Sequence, residues 1–296
     1  MNYRYRVVDV FTSQPLEGNP LAVFPDARGM SDDTMQRVAQ ELNLSETAFV
    51  LPATSKDAAA RVRIFTPTRE MLFAGHPTIG TSWVLLDESI VSRDATNFIL
   101  EELIGPVPIR VENTNGQPMI WLRTPAIRDG ATGDRTRCAQ LLGLETNDLL
   151  DVTPQLLSAG NPTFFIAVRD KGAVDRASID LAGVAELRGS ENDAMCVFVF
   201  TPTPEGAYSR MFAQEYGIIE DPATGSSTGP LAAYMLRHGL APRADGTHFV
   251  SEQGTKMRRR SLLHVLIYGE GGAAGIEVGG HVTPLTIATM SLGSAP

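Results

Sequence analysis

Cysteine and lysine are scarce in this chain. Among its 296 residues there are two isolated cysteines, Cys138 and Cys196, and three lysines. Neither these cysteines nor the five histidines have the spacing of a metal site, and two lone thiols define no disulfide framework. The lysines, Lys56, Lys171 and Lys256, lie outside every repeated motif, which argues against a Schiff-base cofactor. We therefore expect two core thiols, no metal and no lysine-bound cofactor.

Long hydrophobic runs, an excess of positive charge and nucleotide-binding motifs are also missing. No apolar segment has the length of a membrane span, and the start of the sequence lacks the basic-then-apolar pattern of a signal peptide. The formal net charge of -9 disfavours nucleic acid as a partner. Residues 75–80 have the wrong glycine spacing for a dinucleotide fingerprint, and no P-loop occurs. These absences predict a cytoplasmic protein that needs no cofactor and binds neither membranes nor nucleic acid.

A set of short motifs occurs twice, in the same order and at nearly equal separations. In each half, Gly-Asn-Pro is followed by Arg-x-Phe, by a glutamate and by a proline-containing loop rich in small residues. The two copies are residues 18–20, 63–65, 70 and 75–82, and residues 160–162, 210–212, 215 and 220–227. This repeat aligns His76 with Asp221. We expect two half-sites that face one another across a cleft, each with its own acid–base group.

Local patterns predict the elements around these motifs. Ser31–Leu42 has the spacing of an amphipathic helix with a serine cap, and Glu46–Pro52 and Ala59–Phe65 are typical of strands. Pro77 and Pro222 suit the first turn of a helix. Each copy is therefore expected to carry a polar loop to a helix N-terminus, where unpaired N–H groups favour a carboxylate or phosphate.

The length of the chain predicts two domains. Residues 127–133 contain the turn signals of a linker, and Asn115-Gly116 is typical of a hairpin turn. We place the first domain at residues 1–127, with a C-terminal strand in 282–296 that returns to it. The second domain is expected at residues 128–281.

Five segments together resemble one protein family. They are GNP at 18–20, SETAF at 45–49, RIFTP at 63–67, FAGHPTIG at 73–80 and EDPATGSS at 220–227. Over essentially its whole length the sequence is similar to the PhzF-like family of phenazine biosynthesis. The resemblance implies an α+β fold of the diaminopimelate-epimerase type. In that fold two pseudo-symmetric domains each wrap a curved mixed sheet around a central helix, with the site between them, and the protein is commonly a homodimer.

The resemblance also implies roles for individual residues. Glu46 matches the glutamate that moves a proton between substrate carbons. His76, Asp221 and Ser226 match further site positions, which would orient the substrate and assist the transfer. The positions whose backbone would hold the substrate carboxylate are Asn19, Gly75 and Gly225. To act near neutral pH, the carboxyl of Glu46 must be partly desolvated.

Two departures from related proteins qualify the resemblance. Diaminopimelate epimerases and proline racemases use a pair of thiols, whereas the corresponding loops here carry His76 and Asp221. Residues 257–261 read Met-Arg-Arg-Arg-Ser, where the family often has Met-Gly-Arg-Pro-Ser. The first departure excludes two-thiol racemisation. The second predicts a different substrate preference if that loop borders the site.

The sequence thus predicts a cofactor-independent isomerase. It would move a proton between carbons of a small carboxylate-bearing substrate by carboxylate acid–base catalysis. Two alternatives stay open: a catalytically silent small-molecule-binding protein of the same fold, and an epimerase that uses two non-thiol groups. A purely structural role also remains for Asp221 and Ser226, because both residue types cap helices well.

Overall fold

The structure is a computed structural model and describes residues 1–114, 117–188 and 194–293. The chain divides into two compact units, Met1–Arg123 with Gly279–Pro296, and Thr124–Val278. Mixed sheet predominates over helix in both units, which confirms the predicted α+β class. Within the described part of the chain, no helix has the length and apolar character that crossing a membrane requires.

The elements follow the chain in this order. The first unit contains β1 (Asn2–Val10), β2 (Asn19–Phe24), α1 (Asp32–Leu42), β3 (Glu46–Leu51), β4 (Ala60–Phe65), β5 (Glu70–Met71), α2 (Gly75–Asp87), β6 (Asn97–Glu102), β7 (Gly105–Thr114) and β8 (Gln117–Arg123). Next come β9 (Arg128–Thr132), α3 (Arg135–Leu141), β10 (Gln155–Ser158), β11 (Pro162–Ala167), α4 (Lys171–Arg176), α5 (Leu181–Arg188), β12 (Cys196–Thr203), β13 (Gly206–Ala213), β14 (Ile218–Asp221), α6 (Gly225–Arg237), β15 (His248–Gln253) and β16 (Ser261–Tyr268). The chain ends with β17 (Gly275–Gly280) and β18 (Val282–Ser291).

In the first unit the strands are ordered β8-β7-β6-β4-β3-β2-β1-β18. The β2–β3 and β4–β6 pairs are parallel, and the other pairs are antiparallel. Helix α2 packs against β1, β2, β3 and β8, so the sheet curves around it. Eleven of its thirteen residues are buried, as expected of a helix enclosed by a sheet.

The second unit repeats this topology. Its strands are ordered β16-β15-β13-β12-β11-β10-β9, with β13–β15 and β11–β12 parallel and the others antiparallel. Helix α6 takes the place of α2 and packs against β10, β11 and β16. The internal sequence repeat therefore corresponds to a repeated fold, each copy built around one buried helix.

Helix α1 has the predicted cap, because the Thr34 N–H donates to Ser31 Oγ at 3.2 Å. Pro77 lies in the first turn of α2, as predicted. The prediction for Pro222 was wrong: α6 begins at Gly225, and the proline of that helix is Pro230. The reason is that the loop after β14 is held outside the helix by side-chain hydrogen bonds described below.

The predicted linker at residues 127–133 was also wrong, because this segment forms β9 and pairs with β10. The predicted hairpin turn, Asn115-Gly116, lies outside the described residues. The strands on either side of it pair antiparallel up to Thr114 and Gln117. Turn-forming residues thus predicted the hairpin strands β7 and β8 correctly. The same kind of residues led to a wrong linker prediction at 127–133, where the chain forms a short glycine-containing strand.

Candidate active site

Three of the residues singled out in the sequence meet in the first unit. Glu46 is the first residue of β3 and His76 is the second residue of α2. His76 Nδ1 lies 3.4 Å from Glu46 Oε2 and 3.3 Å from Asn19 Nδ2. Asn19 is the first residue of β2, the parallel neighbour of β3, so two adjacent strand starts and one helix start converge here.

Burial differs sharply between the two titratable groups. The side chain of His76 is 3% exposed and that of Glu46 is 12% exposed. Burial lowers the pKa of His76 to about 3, so its imidazole is neutral at neutral pH. Asn19 Nδ2 can only donate, so its contact is a hydrogen bond when Nδ1 accepts, and on this ground we assign the ring proton to Nε2. Nε2 makes no hydrogen bond to any described residue.

The N-terminus of α2 supplies backbone donors beside this cluster. Its N-cap, Ala74, has no side chain that could bond the first N–H groups. Gly75 and His76 are the first two helical residues, and N–H groups at such a position suit an anionic group.

In the second unit the corresponding contact joins Asn161 and Ser226. Asn161 Nδ2 donates to Ser226 Oγ at 3.1 Å, and Ser226 is the second residue of α6. Gly225 begins that helix. Asp221 ends β14, is 5% exposed, and accepts a hydrogen bond from Thr224 Oγ1.

The structure corrects the expected correspondence between the repeats. His76 and Ser226 are each the second residue of the central helix, and each contacts the asparagine of its own Gly-Asn-Pro motif. Asp221 is therefore not the counterpart of His76. A 3-10 turn at Gln214–Tyr216 lengthens the connection between β13 and β14, which shifts the sequence alignment in this region.

The same shift affects the repeated glutamate. Arg63 Nε donates to Glu70 at 2.6 Å, and Arg210 Nε donates to Glu220 at 2.9 Å. Glu220, not the expected Glu215, is therefore the counterpart of Glu70. Both ion pairs tie a short strand, β5 or β14, to the strand before it, immediately ahead of the central helix.

Gln253, which the sequence analysis assigned no role, contacts the loop that follows Asp221. It is fully buried at the end of β15, and its Nε2 donates to the Asp221 carbonyl at 2.7 Å and to Thr224 Oγ1 at 3.0 Å. Its Oε1 accepts from the Thr224 N–H at 3.1 Å. These bonds hold the loop between Asp221 and α6 outside the helix. The Gln253-Gly254 dipeptide before the altered basic segment was the available signal.

The basic segment Lys256–Arg260 lies next to the same loop. A Cβ on Gly254 would lie 2.6 Å from the carbonyl oxygen of Pro222, the residue after Asp221. Arg260 pairs with Glu252 at 3.2 Å, and Lys256 and Arg258 are exposed. The part of the sequence that departs from the family pattern thus borders the start of α6.

Cysteine is absent from these clusters. Cys138 and Cys196 are buried, as predicted for core residues. Burial raises the pKa of the Cys138 thiol to about 12, which leaves almost no thiolate near neutral pH. Among residues 1–114, 117–188 and 194–293, no group of three His, Cys, Asp or Glu side chains is arranged to hold a metal ion.

Comparison with known proteins identifies relatives along the whole chain. A family model described as phenazine biosynthesis-like protein (PhzC-PhzF) matches residues 8–286. A trans-2,3-dihydro-3-hydroxyanthranilate isomerase from Pseudomonas aeruginosa is 35% identical over 291 residues, which cover 94% of this chain and 96% of that protein. An uncharacterized isomerase from Mesorhizobium japonicum is 35% identical over 288 residues, covering 94% and 95% of the two chains.

Solved structures share the fold. A predicted epimerase from Pseudomonas aeruginosa superposes with a TM-score of 0.83 at 33% identity, covering 98% of this chain and 100% of the other. A probable proline racemase from Agrobacterium radiobacter, solved with bound carbonate, has a TM-score of 0.67 at 16% identity, covering 98% and 93%, and supports the fold alone. The relatives named as isomerases support the same enzyme class for this chain. With the family model matched from residue 8 to residue 286, the chain belongs to the phenazine biosynthesis-like PhzC-PhzF family.

Proposed function

We propose that this isomerase works without a cofactor and that Glu46 moves a proton between two carbons of a small carboxylate-bearing substrate. The observation that carries the proposal is the contact of Glu46 with a buried, neutral His76 beside the N-terminus of α2. Glu46 remains partly exposed, so a substrate can reach it. Its Oε2 atom, which faces His76, is buried.

The proposed reaction uses one carboxyl group twice. Ionised Glu46 takes a proton from one substrate carbon, and the electron pair of the broken C–H bond shifts into the neighbouring unsaturated system. The resulting carboxylic acid then gives the same proton to a second carbon. One C–H bond breaks and another forms, so the proton count and the charge are unchanged and no oxidant or reductant is needed.

In this scheme His76 positions the carboxyl group of Glu46. When Glu46 is protonated, its hydrogen can replace that of the Asn19 amide at Nδ1, which has a single lone pair and lies 3.4 Å from Glu46 Oε2. Because burial lowers the pKa of His76 to about 3, the imidazole does not take that proton completely. The proton therefore stays available for return to the substrate.

The substrate carboxylate would be held by backbone groups at the starts of β2, α2 and α6. We propose Asn19, Gly75 and Gly225 for this role, and Asp221 and Ser226 for orienting the substrate and assisting the transfer. Support comes from the uncapped start of α2 and from the Asn161–Ser226 contact at the start of α6. A homodimer stays a prediction.

Trans-2,3-dihydro-3-hydroxyanthranilate is the first substrate to test, since a relative 35% identical carries its name. Turnover is followed by proton NMR in D2O, which detects the product and shows whether the proton held by Glu46 exchanges with solvent, because only then does deuterium enter at carbon. Other small cyclic and amino carboxylates complete the panel, because the basic segment near α6 favours a different preference.

Glu46→Gln tests the proposed base. We expect a loss of turnover of at least roughly a hundredfold, because the amide cannot accept the proton, while substrate-induced thermal stabilisation persists. Glu41→Gln, on the exposed face of α1, is the matched control and should keep wild-type turnover. Turnover retained by Glu46→Gln would remove Glu46 from this role.

A non-thiol epimerase is the second candidate, favoured by the structural relative that is titled a predicted epimerase. The two reactions give different products. A shifted double bond identifies the isomerase proposed above, whereas an inverted stereocentre with an unchanged bond pattern identifies an epimerase. Thermal stabilisation by the ligands without product or exchange would instead indicate a silent binding protein.

A further inference from the structure

A second buried carboxyl group lies next to the first turn of α2. Glu102, the last residue of β6, is 7% exposed, and its Oε1 lies 2.6 Å from Thr78 Oγ1. Thr78 Oγ1 also lies 2.7 Å from the carbonyl oxygen of Ala74. The other oxygen of Glu102, Oε2, makes no hydrogen bond to the described residues. Glu102 thus contacts the turn that carries His76 without belonging to the cluster around Glu46.

Two hydrogen atoms are needed if both short contacts of Thr78 Oγ1 are hydrogen bonds. A threonine hydroxyl has one proton, and both the Ala74 carbonyl and an ionised Glu102 could only accept it. If Glu102 is protonated, it donates to Thr78 Oγ1, and Thr78 donates to Ala74 O. Both short contacts are then hydrogen bonds, and no unpartnered charge is buried at Oε2.

The repeat supplies a counterpart for Glu102. Strand β6 lies parallel to β4, as β15 lies parallel to β13. The ladders pair Leu100 with Ala60 in the first unit and Ser251 with Ala207 in the second. Counted from these pairs, the last residue of β6 corresponds to the last residue of β15. Glu102 therefore occupies the position of Gln253.

Gln253 forms its hydrogen bonds with an amide side chain, which is neutral at every pH. Its amide donates two hydrogen bonds and accepts one, all to the segment that leads into α6. Thr228 Oγ1 donates to the Thr224 carbonyl at 2.9 Å, as Thr78 does to Ala74. In each unit, a side chain at the end of the equivalent strand thus holds the start of the central helix. The first unit uses the carboxyl group of Glu102, and the second uses the amide of Gln253.

We propose that Glu102 is a positioning residue that, in its protonated form, fixes the first turn of α2 and so holds the His76 ring against Glu46. Ionisation of Glu102 removes the hydrogen that it donates to Thr78 Oγ1, and this loosens the turn. The effect on turnover rests on the function proposed above, whereas the effect on the position of His76 does not.

The surroundings of Glu102 favour the neutral form. Burial raises the pKa of Glu102 to about 8, and the hydrogen bond from Thr78 opposes this shift only in part. The titratable residues on β6 and on the elements next to it are Glu101 on β6, Arg61 and Arg63 on β4, Glu70 on β5, Arg110 and Glu112 on β7, and His76 and Asp87 on α2. His76 is neutral, Glu70 is paired with Arg63, and the β7 residues that face β6 near Glu102, 105–107, carry no charge.

Reciprocal substitutions test the proposal, with pH as the variable. Wild type should lose kcat as the pH rises through about 8, while KM changes little. Glu102→Gln should keep wild-type kcat at pH 7 to within about threefold and lack this alkaline loss, because an amide cannot ionise. Glu102→Leu should lose at least roughly tenfold in kcat at pH 7, because the link to Thr78 is gone. Gln253→Glu should acquire an alkaline loss of its own.

A second readout separates this proposal from the proposed function. The NMR signals of the His76 ring nitrogens should shift in wild type as the pH rises from 7 to 9, and should stay constant in Glu102→Gln. That result supports the positioning role even if no substrate is turned over. An alkaline shift of the His76 signals that persists in Glu102→Gln, or wild-type kcat in Glu102→Leu, would overturn it.

Discussion

Burial acts on His76 and Glu102 in the same physical sense, although it moves their pKa values in opposite directions. The charged form of each group is disfavoured in the interior, so burial lowers the pKa of the imidazole and raises that of the carboxyl group. Both side chains are therefore mainly neutral at pH 7. Glu46, the third acid–base group near the start of α2, keeps partial contact with solvent. The side chain of Glu46 is 12% exposed and that of His76 is 3% exposed.

The low pKa of His76 has a consequence for stability against acid. The folded state protonates His76 only near pH 3, whereas the unfolded chain does so near the ordinary value of 6.5. Between these values the unfolded state binds more protons, so the free energy of unfolding falls as the pH is lowered. For one histidine the slope is at most about 1.4 kcal/mol per pH unit.

His76→Gln should therefore reduce the acid sensitivity of the fold. We expect urea unfolding between pH 7 and pH 4 to give a shallower dependence of unfolding free energy on pH than in wild type. Equal slopes in wild type and His76→Gln would contradict the prediction.

At the scale of elements, the connection into each central helix is held by side chains from neighbouring strands. Arg63–Glu70 and Arg210–Glu220 bind the short strands β5 and β14. Arg210 also donates to the carbonyl of Ala177 at 2.6 Å. Because the helices begin with small residues and lack side-chain caps, these links replace local capping as the means of fixing the helix starts.

Gly254 packs between the loop that leads into α6 and the basic segment Lys256–Arg260. It has a φ of +75°, and a Cβ would lie 2.3 Å from the Arg259 carbonyl and 2.6 Å from the Pro222 carbonyl. Gly239, after α6, has a φ of +68° but open space around it. Both positions have a left-handed backbone, but Gly254 is buried and crowded whereas Gly239 is exposed.

Substitution by alanine at these two positions should separate the energetic cost of a left-handed backbone from that of steric crowding. Gly239→Ala is expected to cost about 1 kcal/mol of unfolding free energy, the usual cost of a left-handed alanine. Gly254→Ala should cost clearly more, because backbone atoms of Pro222 and Arg259 must also move, and it should lower turnover. Denaturant unfolding and the NMR assay measure both effects, and equal losses of stability would refute the crowding argument.

For the molecule as a whole, the sequence predicted the fold class and the existence of a repeat but misaligned part of it. Strand and helix patterns and the Gly-Asn-Pro motifs are local signals, so they could be read directly. The equivalence of His76 and Ser226 depends on a turn inserted near Tyr216, which alters spacing without altering topology. Glu102 could not be found, because its role depends on burial and on a contact with Thr78 from a distant helix. The same holds for Gln253, whose partners lie about thirty residues earlier in the chain.

Both thiols should be inert in the native protein. Cys138 and Cys196 are buried, and the pKa of the Cys138 thiol is raised to about 12, so alkylation requires local or global opening. Iodoacetamide should therefore leave turnover unchanged under native conditions and modify both residues once the chain is unfolded. Rapid inactivation that substrate prevents would revive a thiol mechanism.

The positions of the tryptophans and cysteines give each half of the molecule its own intrinsic reporter. Trp83 and Trp121 both lie in the first unit, and both cysteines lie in the second. Indole fluorescence consequently follows unfolding of one unit and thiol labelling follows the other, without any engineered probe. Coincident denaturation curves would mean that the duplicated halves melt cooperatively, and separate curves would give the stability of each half on its own.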